Sequence, residues 1–266
     1  MKTSSTADIV KVLEKNNELL RIKHQVDPHL EMAEIQRRIY RDNGPAILFE
    51  NVKDCQFQCI SNIYGTTKRA KLLFKKTYKA VRSIISAKGN PTGLLKHPLG
   101  AMQALVTAGY GLPLKVPNSV APVMQCKAKL EDLPQIVSWP MDGGAYITLP
   151  QVYSEHPDHI GNPFKSNLGM YRIQMSGNEY IKNKEIGLHY QIHRGIGVHQ
   201  KLYNDRKKPF KVAIFIGGSP SMAFSAVMPL PEGMPEVAFS GLMAGRNFRY
   251  TTSVSYTHLT LPTTTI

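Results

Sequence analysis

Three separated segments hold the side chains whose types could do chemistry together: Asn167-Leu168-Gly169-Met170-Tyr171-Arg172, Gln191-Ile192-His193-Arg194 and Met228-Pro229-Leu230-Pro231-Glu232-Gly233-Met234-Pro235-Glu236. Between them they offer an amide oxygen, an imidazole and a carboxylate, with an arginine beside the amide. Such a set can hold a divalent cation against a phosphate. Read singly, each residue has a plainer use: Asn167 in a turn, Arg172 in a surface ion pair, His193 as a histidine satisfied by its neighbours. Their combination, with Glu236 in its own proline-framed motif, favours a site.

The scaffold that must position them has 266 residues, 42% of them hydrophobic, enough for one large domain or two ordinary ones with real cores. The most apolar stretch, Leu99 to Val116, is broken by Gly100, Gly109, Gly111 and Pro113, which argues against a membrane span. The start, Met1-Lys2-Thr3-Ser4-Ser5, leads into a polar helical pattern without the apolar core of a signal peptide, so a cytoplasmic protein is expected. Cys55, Cys59 and Cys126 are read as reduced thiols, and no second pair at zinc spacing accompanies the first two.

With 33 basic and 19 acidic residues the formal charge is +14. Much of it sits in Lys68, Arg69, Lys71, Lys75, Lys76, Lys79 and Arg82, and in Arg206, Lys207, Lys208 and Lys211. Such a field attracts nucleic acid, anionic membrane or phosphate-bearing ligands. In the first cluster, however, Leu72, Leu73, Tyr78, Val81 and Ile85 recur at helical spacing, as on an amphipathic surface helix with a solvated basic face. No nucleic-acid module accompanies it, so no nucleic-acid partner is expected and membrane contact is at most peripheral.

Ser4 to Asn17 is predicted as a helix opened by Ser or Thr, with Ile9, Val10 and Leu13 on one face. Glu18 to Val26 is predicted as extended, with Leu20 and Ile22 pointing the same way. A second helix follows Asp27-Pro28, buries Met32, Ile35 and Ile39, and stops at Asn43-Gly44. Ala46–Val52 and Gln56–Ile60 read as strands, and Gly65-Thr66 opens the basic helix. After about Ser119 short extended runs, Ile136–Trp139, Tyr146–Leu149 and Val212–Ile216, alternate with Pro- and Gly-rich turns, a grammar that suits an antiparallel sheet or barrel. Ser221–Met228 is a helix placed directly after a strand and Gly217-Gly218-Ser219-Pro220, a plausible anion-binding corner.

Leu30–Ile35, Gly44–Val52, Asp142-Gly143-Gly144 with Ile147-Thr148-Leu149-Pro150, and Asn167–Gln174 occur together and in order. On these motifs the chain, from near residue 7 to near Tyr250, resembles the UbiD family of decarboxylases. That family includes the 3-polyprenyl-4-hydroxybenzoate decarboxylase of ubiquinone synthesis. The resemblance implies an α+β fold: an N-terminal α/β domain over 1–118, then an incomplete flavin-reductase-like split β-barrel over 119–252. It implies a prenylated-FMN-dependent (de)carboxylase of aromatic or α,β-unsaturated carboxylic acids.

The resemblance further implies prenylated FMN held through its phosphate by Mn²⁺ or Mg²⁺, with K⁺ close by. The divalent ligands would be Asn167, His193 and Glu236, a hard-donor set with one borderline imidazole that suits either ion. The potassium ligands would be backbone oxygens of Ser225, Ala226 and Met228 with the Glu236 carboxylate. Gln191, Met228 and Pro229 would neighbour the cofactor. Arg172 would lie over the flavin as the catalytic arginine, orient the substrate carboxylate and hold a neighbouring acid ionised. The flavin would serve as electron sink for loss of carbon dioxide. The proton donor would come from a downstream Glu-x-x-x-x-Glu/Asp pair, the acid that Arg172 is expected to face and one that this chain is expected to lack. Expected partners are a small-molecule carboxylic acid, a flavin prenyltransferase as cofactor source and, for the full-length form, further copies in a homo-oligomer.

The threonine-rich end, residues 253–266, is read as a non-family tail of foreign or mistranslated origin, and the chain as an inactive N-terminal portion. Two other classes stand beside this reading. An FMN-dependent oxidoreductase on a related barrel lacks support from any G-x-G-x-x-G after a strand. A non-catalytic basic binding module would show salt-sensitive binding to nucleic acid or anionic lipid.

Overall fold

The computed structural model describes residues 3–75, 77–79, 81–82, 106–230 and 233–252, with the backbone of 257–259. Helix α1 (Thr6–Lys15) starts where Ser5 Oγ accepts the Asp8 N–H at 3.1 Å, and it buries Ile9, Val10, Val12 and Leu13. Strand β1 (Leu19–Val26) follows and pairs in parallel with β2 (Ala46–Val52) across helix α2 (Glu31–Arg41). The helix ends as its Asn43-Gly44 signal requires: Asn43 takes φ 52° and the Gly44 N–H returns to the Ile39 carbonyl at 2.8 Å. Strand β3 (Cys59–Ser61) closes the sheet antiparallel to β2, three residues later than Gln56 would have begun it. Ile22 and Val26 point into the core with Met32, Ile47 and Phe49. Leu20, expected inward beside Ile22, is exposed instead, on a strand that lies at the sheet edge and whose register shifts between Ile22 and Gln25.

Helix α3 (Thr67–Leu73) starts at Thr66, whose Oγ accepts the Arg69 N–H. It corrects the reading of its basic face. Arg69 is fully buried: Nη1 donates to Glu18 Oε2 at 3.2 Å and to the Gly44 carbonyl at 2.8 Å, and Lys68 pairs with the other Glu18 oxygen. The Lys68 ammonium, with Arg69 behind it, holds the Glu18 carboxyl below the usual carboxylate range despite its burial. Lys76 and Ile85 lie outside the described residues.

The later half contains strands β4 (Leu114–Lys115), β5 (Tyr146–Ile147), β6 (Gln151–Glu155), β7 (Ser166–Met170), β8 (Arg172–Gln174) and β9 (Gly187–His189). Helix α4 (Gly195–Asp205), strand β10 (Val212–Phe215), helices α5 (Pro220–Val227) and α6 (Glu236–Ala244), and strands β11 (Arg249–Thr252) and β12 (Thr257–Leu259) complete it. The sheets run β10-β6-β7, β5-β8-β9 and β12-β11-β4; the first two are antiparallel throughout. Among the described residues none closes into a barrel; the strands form separate three-stranded sheets. Ile136–Trp139 is not a strand beyond a single bridge from Val137 to His29, because Asp142 Oδ2 folds the chain back by accepting the Ser138 and Trp139 N–H groups.

Two apolar clusters clamp the central sheet. Tyr153 and Leu168 project from β6 and β7 onto Met222 and Val237 of α5 and α6. Val152 packs on the other side with Ile173 and with Ile196 of α4. The alternation of β6 and β7 thus sends neighbouring residues to different helices. The two halves also touch directly: Phe224 of α5 packs edge-on against Tyr64 and Phe74, and Gly218 N–H donates to Thr6 Oγ at 3.1 Å. Among the described residues no helix is long and apolar enough to cross a membrane.

Candidate functional site

Asn167 lies on β7, 9% exposed, opposite Ser154 of β6. Its Nδ2 lies 3.2 Å from the Tyr171 hydroxyl, which folds back over the strand because Gly169 leaves room; a Cβ there would stand 2.5 Å from the Tyr171 ring. Gly195, the first residue of α4, is pressed against the same amide, and a Cβ at that position would overlap Asn167 Oδ1. Glycine spacing, and no polar signal, makes this seat.

Glu236 reaches the seat from the far end of the chain. It is the first residue of α6, set in place by Pro235 at the N-cap, and its Oε2 accepts the Leu168 N–H at 3.4 Å. Burial pushes its carboxyl above the usual range, only partly offset by backbone N–H groups. Among the described residues no cationic side chain forms an ion pair with it. A half-buried carboxylate without a paired cation, held at the strand that carries Asn167, is a hard donor that a metal ion would complete, so Glu236 fits the implied ion. The ends of α5 and α6 meet here too. Pro229 has no N–H to return to the Ser225 carbonyl four residues earlier, which leaves that oxygen without a helical donor. Ser225 is buried, and its Oγ donates to the Ser221 carbonyl at 2.7 Å. Met228 caps α5 and leans on Val81, Phe239 and Leu242, while Ala226 is partly buried against the Tyr153 cluster.

The remaining sequence-chosen residues stand apart. Gln191 and His193 are exposed in the turn before α4, and Gln191 Oε1 accepts from Arg194 Nε at 3.3 Å. No hydrogen bond or ion pair joins His193 to Asn167 or Glu236 among the described residues. Arg172, expected to face an acid outside this chain, faces one inside it: Nη2 lies 3.4 Å from Asp142 Oδ1, and the guanidinium stacks 4.2 Å from the centre of the Tyr146 ring. The Asp142-Gly143-Gly144 motif and the Gly169-x-Tyr171 spacing were the only sequence traces of these contacts.

Behind Asn167, His199 of α4 is 8% exposed with Nδ1 3.0 Å from Ser154 Oγ. Burial, and then the neighbouring His156, push its pKa down to about 4, so it is a neutral packing group near pH 7. Cys59 is a half-buried thiol whose loss of water pushes its pKa up to about 12.

An α+β scaffold thus brings the Glu236 carboxylate, at the start of one helix, to the strand that carries Asn167. The family follows from comparison. Residues 10–88 match the 3-octaprenyl-4-hydroxybenzoate carboxy-lyase N-terminal domain and residues 115–265 match the Rift-related domain of the same carboxy-lyase. The chain belongs to the UbiD family. A Chlamydia pneumoniae protein named as one of the subunits of 4-hydroxybenzoate decarboxylase is 33% identical over 255 residues, which cover 94% of this chain and 41% of that protein. An uncharacterized Chlamydia trachomatis protein is 34% identical over 250 residues, covering 92% and 41%. The vanillic acid decarboxylase of Sedimentibacter hydroxybenzoicus in closed form shares the fold with a TM-score of 0.78 at 23% identity, over 97% of this chain and 52% of that one. The UbiD-class enzyme HmfF from Pelotomaculum thermopropionicum, in an evolved dimeric form in complex with prFMN, does so with a TM-score of 0.75 at 18% identity, over 96% and 54%. The chain therefore spans about two fifths of these curated relatives' length and about half of the solved chains' length.

Proposed function

We propose that this chain supplies the cofactor-and-metal half of a prenylated-FMN-dependent (de)carboxylase acting on aromatic or α,β-unsaturated carboxylic acids, 3-polyprenyl-4-hydroxybenzoate among them. One observation carries the reading: Glu236 is brought, half-buried and without a paired cation among the described residues, onto the strand that holds Asn167. In this reading residues 1–118 form a leader domain and 119–252 the flavin-binding split barrel. Asn167, His193 and Glu236 hold Mn²⁺ or Mg²⁺ against the flavin phosphate, and the backbone oxygens of Ser225, Ala226 and Met228 hold K⁺ with Glu236. The turn carrying His193 must then move its imidazole inward when the ion arrives. Gln191, Met228 and Pro229 line the cofactor.

When bound, the prenylated flavin would supply an electron sink for the pair left on the substrate carbon as its carboxyl group departs as carbon dioxide. Arg172 binds the substrate carboxylate through its planar fork and orients it. A flavin prenyltransferase supplies the cofactor, and the full-length form assembles with further copies of itself. No Glu-x-x-x-x-Glu/Asp pair occurs in the 266 residues, so the chain alone is expected to release no carbon dioxide when supplied with prenylated FMN, Mn²⁺ and K⁺.

The test is Mn²⁺ binding followed by electron paramagnetic resonance with FMN present. The wild-type chain should take up the ion, and Asn167→Ala or Glu236→Gln should weaken uptake by about tenfold or more, the scale seen when a ligand shell is damaged. Equal uptake by all three proteins would end the metal-seat reading.

A further inference from the structure

Arg172 is the first residue of β8, and its side chain is 57% exposed. A long side chain at such a place ordinarily samples many rotamers, with about 2 kcal/mol of rotamer entropy to lose on ordering. Here it is held from two sides. Tyr146, from the paired strand β5, lies beneath the guanidinium, and Asp142 Oδ1 takes Nη2. Asp142 is itself fixed: its side chain is 13% exposed, and Oδ2 accepts the backbone N–H groups of Ser138 at 3.2 Å and Trp139 at 3.0 Å. The loop bearing those groups is tied to the N-terminal half of the chain. Arg37 of α2 donates to the Ser138 carbonyl at 3.0 Å and stacks 4.6 Å from the Trp139 ring centre, and Leu30 N–H donates to the Val137 carbonyl at 2.8 Å.

We propose that Asp142 is the positioning residue of Arg172: it holds one end of the guanidinium over Tyr146 and leaves the remaining N–H donors to an incoming carboxylate. The two oxygens of Asp142 divide the work. One is locked by the loop backbone, so the other cannot follow the arginine, and the arginine comes to rest where the loop dictates. The N-terminal half, through Arg37 and Leu30, thereby sets the geometry of a side chain on β8. This inference rests on the reading of Arg172 as the carboxylate-binding arginine, but the contact to Asp142 can be tested without it.

Asparagine at 142 keeps an oxygen for the loop N–H groups while turning an amide N–H₂ toward the guanidinium, so Asp142→Asn removes the clamp and spares the turn. Asp142→Ser serves as a second variant, since its hydroxyl can still cap the loop but is too short to reach Arg172. The readout is the Arg172 Nε–Hε correlation in the NMR spectrum of the 266-residue chain, identified by its loss in Arg172→Lys. The wild-type signal should be displaced by the Tyr146 ring and should return to the free-arginine position in both Asp142 variants, while the other arginine signals stay in place. A wild-type signal already at the free position, or a displaced signal that persists in whichever Asp142 variant folds, overturns the proposal. Benzoate titration at the same signal should give an affinity about tenfold weaker in Asp142→Asn, the order expected when a binding group loses its orientation. Equal benzoate affinity in the two proteins overturns the positioning role. A clamped wild-type signal that benzoate never moves instead overturns the carboxylate reading of Arg172 and leaves the clamp in place.

Discussion

Arg69 and Arg172 are both arginines paired with an acid, and they show opposite uses of the same chemistry. Arg69 is 0% exposed and joins the residue before β1, the end of α2 and the start of α3 through Glu18 and the Gly44 carbonyl. Its Nε and Nη2, and the nearby Asn62 Oδ1, have no hydrogen-bond partner among the described residues. Removing one member of such a pair strands a charge in low dielectric, so it acts as a fixed strut. Arg172 keeps more than half of its side chain in water, where an ion pair is worth little to stability. Exposure leaves the N–H donors of Arg172 that Asp142 does not take open to solvent. The comparison separates residues that shape the protein from residues that can act, although formal charge alone describes both in the same way.

The strongest way to break that contrast is Arg69→Ala, which should cost about 3–5 kcal/mol in urea denaturation because Glu18 then keeps only its exposed partner Lys68. A loss below about 1 kcal/mol would mean that Arg69 is solvated after all. Gly195→Ala comes next. Its methyl group must displace the Asn167 amide, so it should lower stability by about 1–3 kcal/mol and weaken Mn²⁺ uptake more than any change at exposed Gln191.

His199 sharpens the buried side of the comparison through pH. Its folded pKa, about 4, lies below the unfolded value near 6.5, so the unfolded chain binds the extra proton first. The stability it lends is present above about pH 6.5 and drains away as pH falls toward 4, by on the order of 2 kcal/mol. Thermal midpoints measured across that window should flatten in His199→Gln; an unchanged slope would remove His199 as the cause. The smallest effect belongs to Arg172→Lys, which should leave stability within about 0.5 kcal/mol while weakening carboxylate binding, because lysine lacks the planar fork. A large loss of stability would make Arg172 a second strut.

Local pattern carried much of the N-terminal half. Ser5 and Thr66 as caps, Ile9 and Leu13 as a buried stripe, and Asn43-Gly44 as a helix stop all act within a turn or two of chain, where sequence and structure are coupled directly. Order of motifs was enough to identify the UbiD family. What no local pattern contained was depth and meeting. Leu20 and Ile22 have the same period and opposite burial, because one strand edge and one register shift decide it. Arg69 reads as surface charge until α3 is laid against β1. Arg172 finds Asp142, thirty residues earlier, only because an antiparallel pairing brings β5 beside β8. Residue types set which chemistry the chain can offer. Which of its charges are sealed in, and which face water, is settled by long-range packing, since the dielectric around a group depends on everything folded over it.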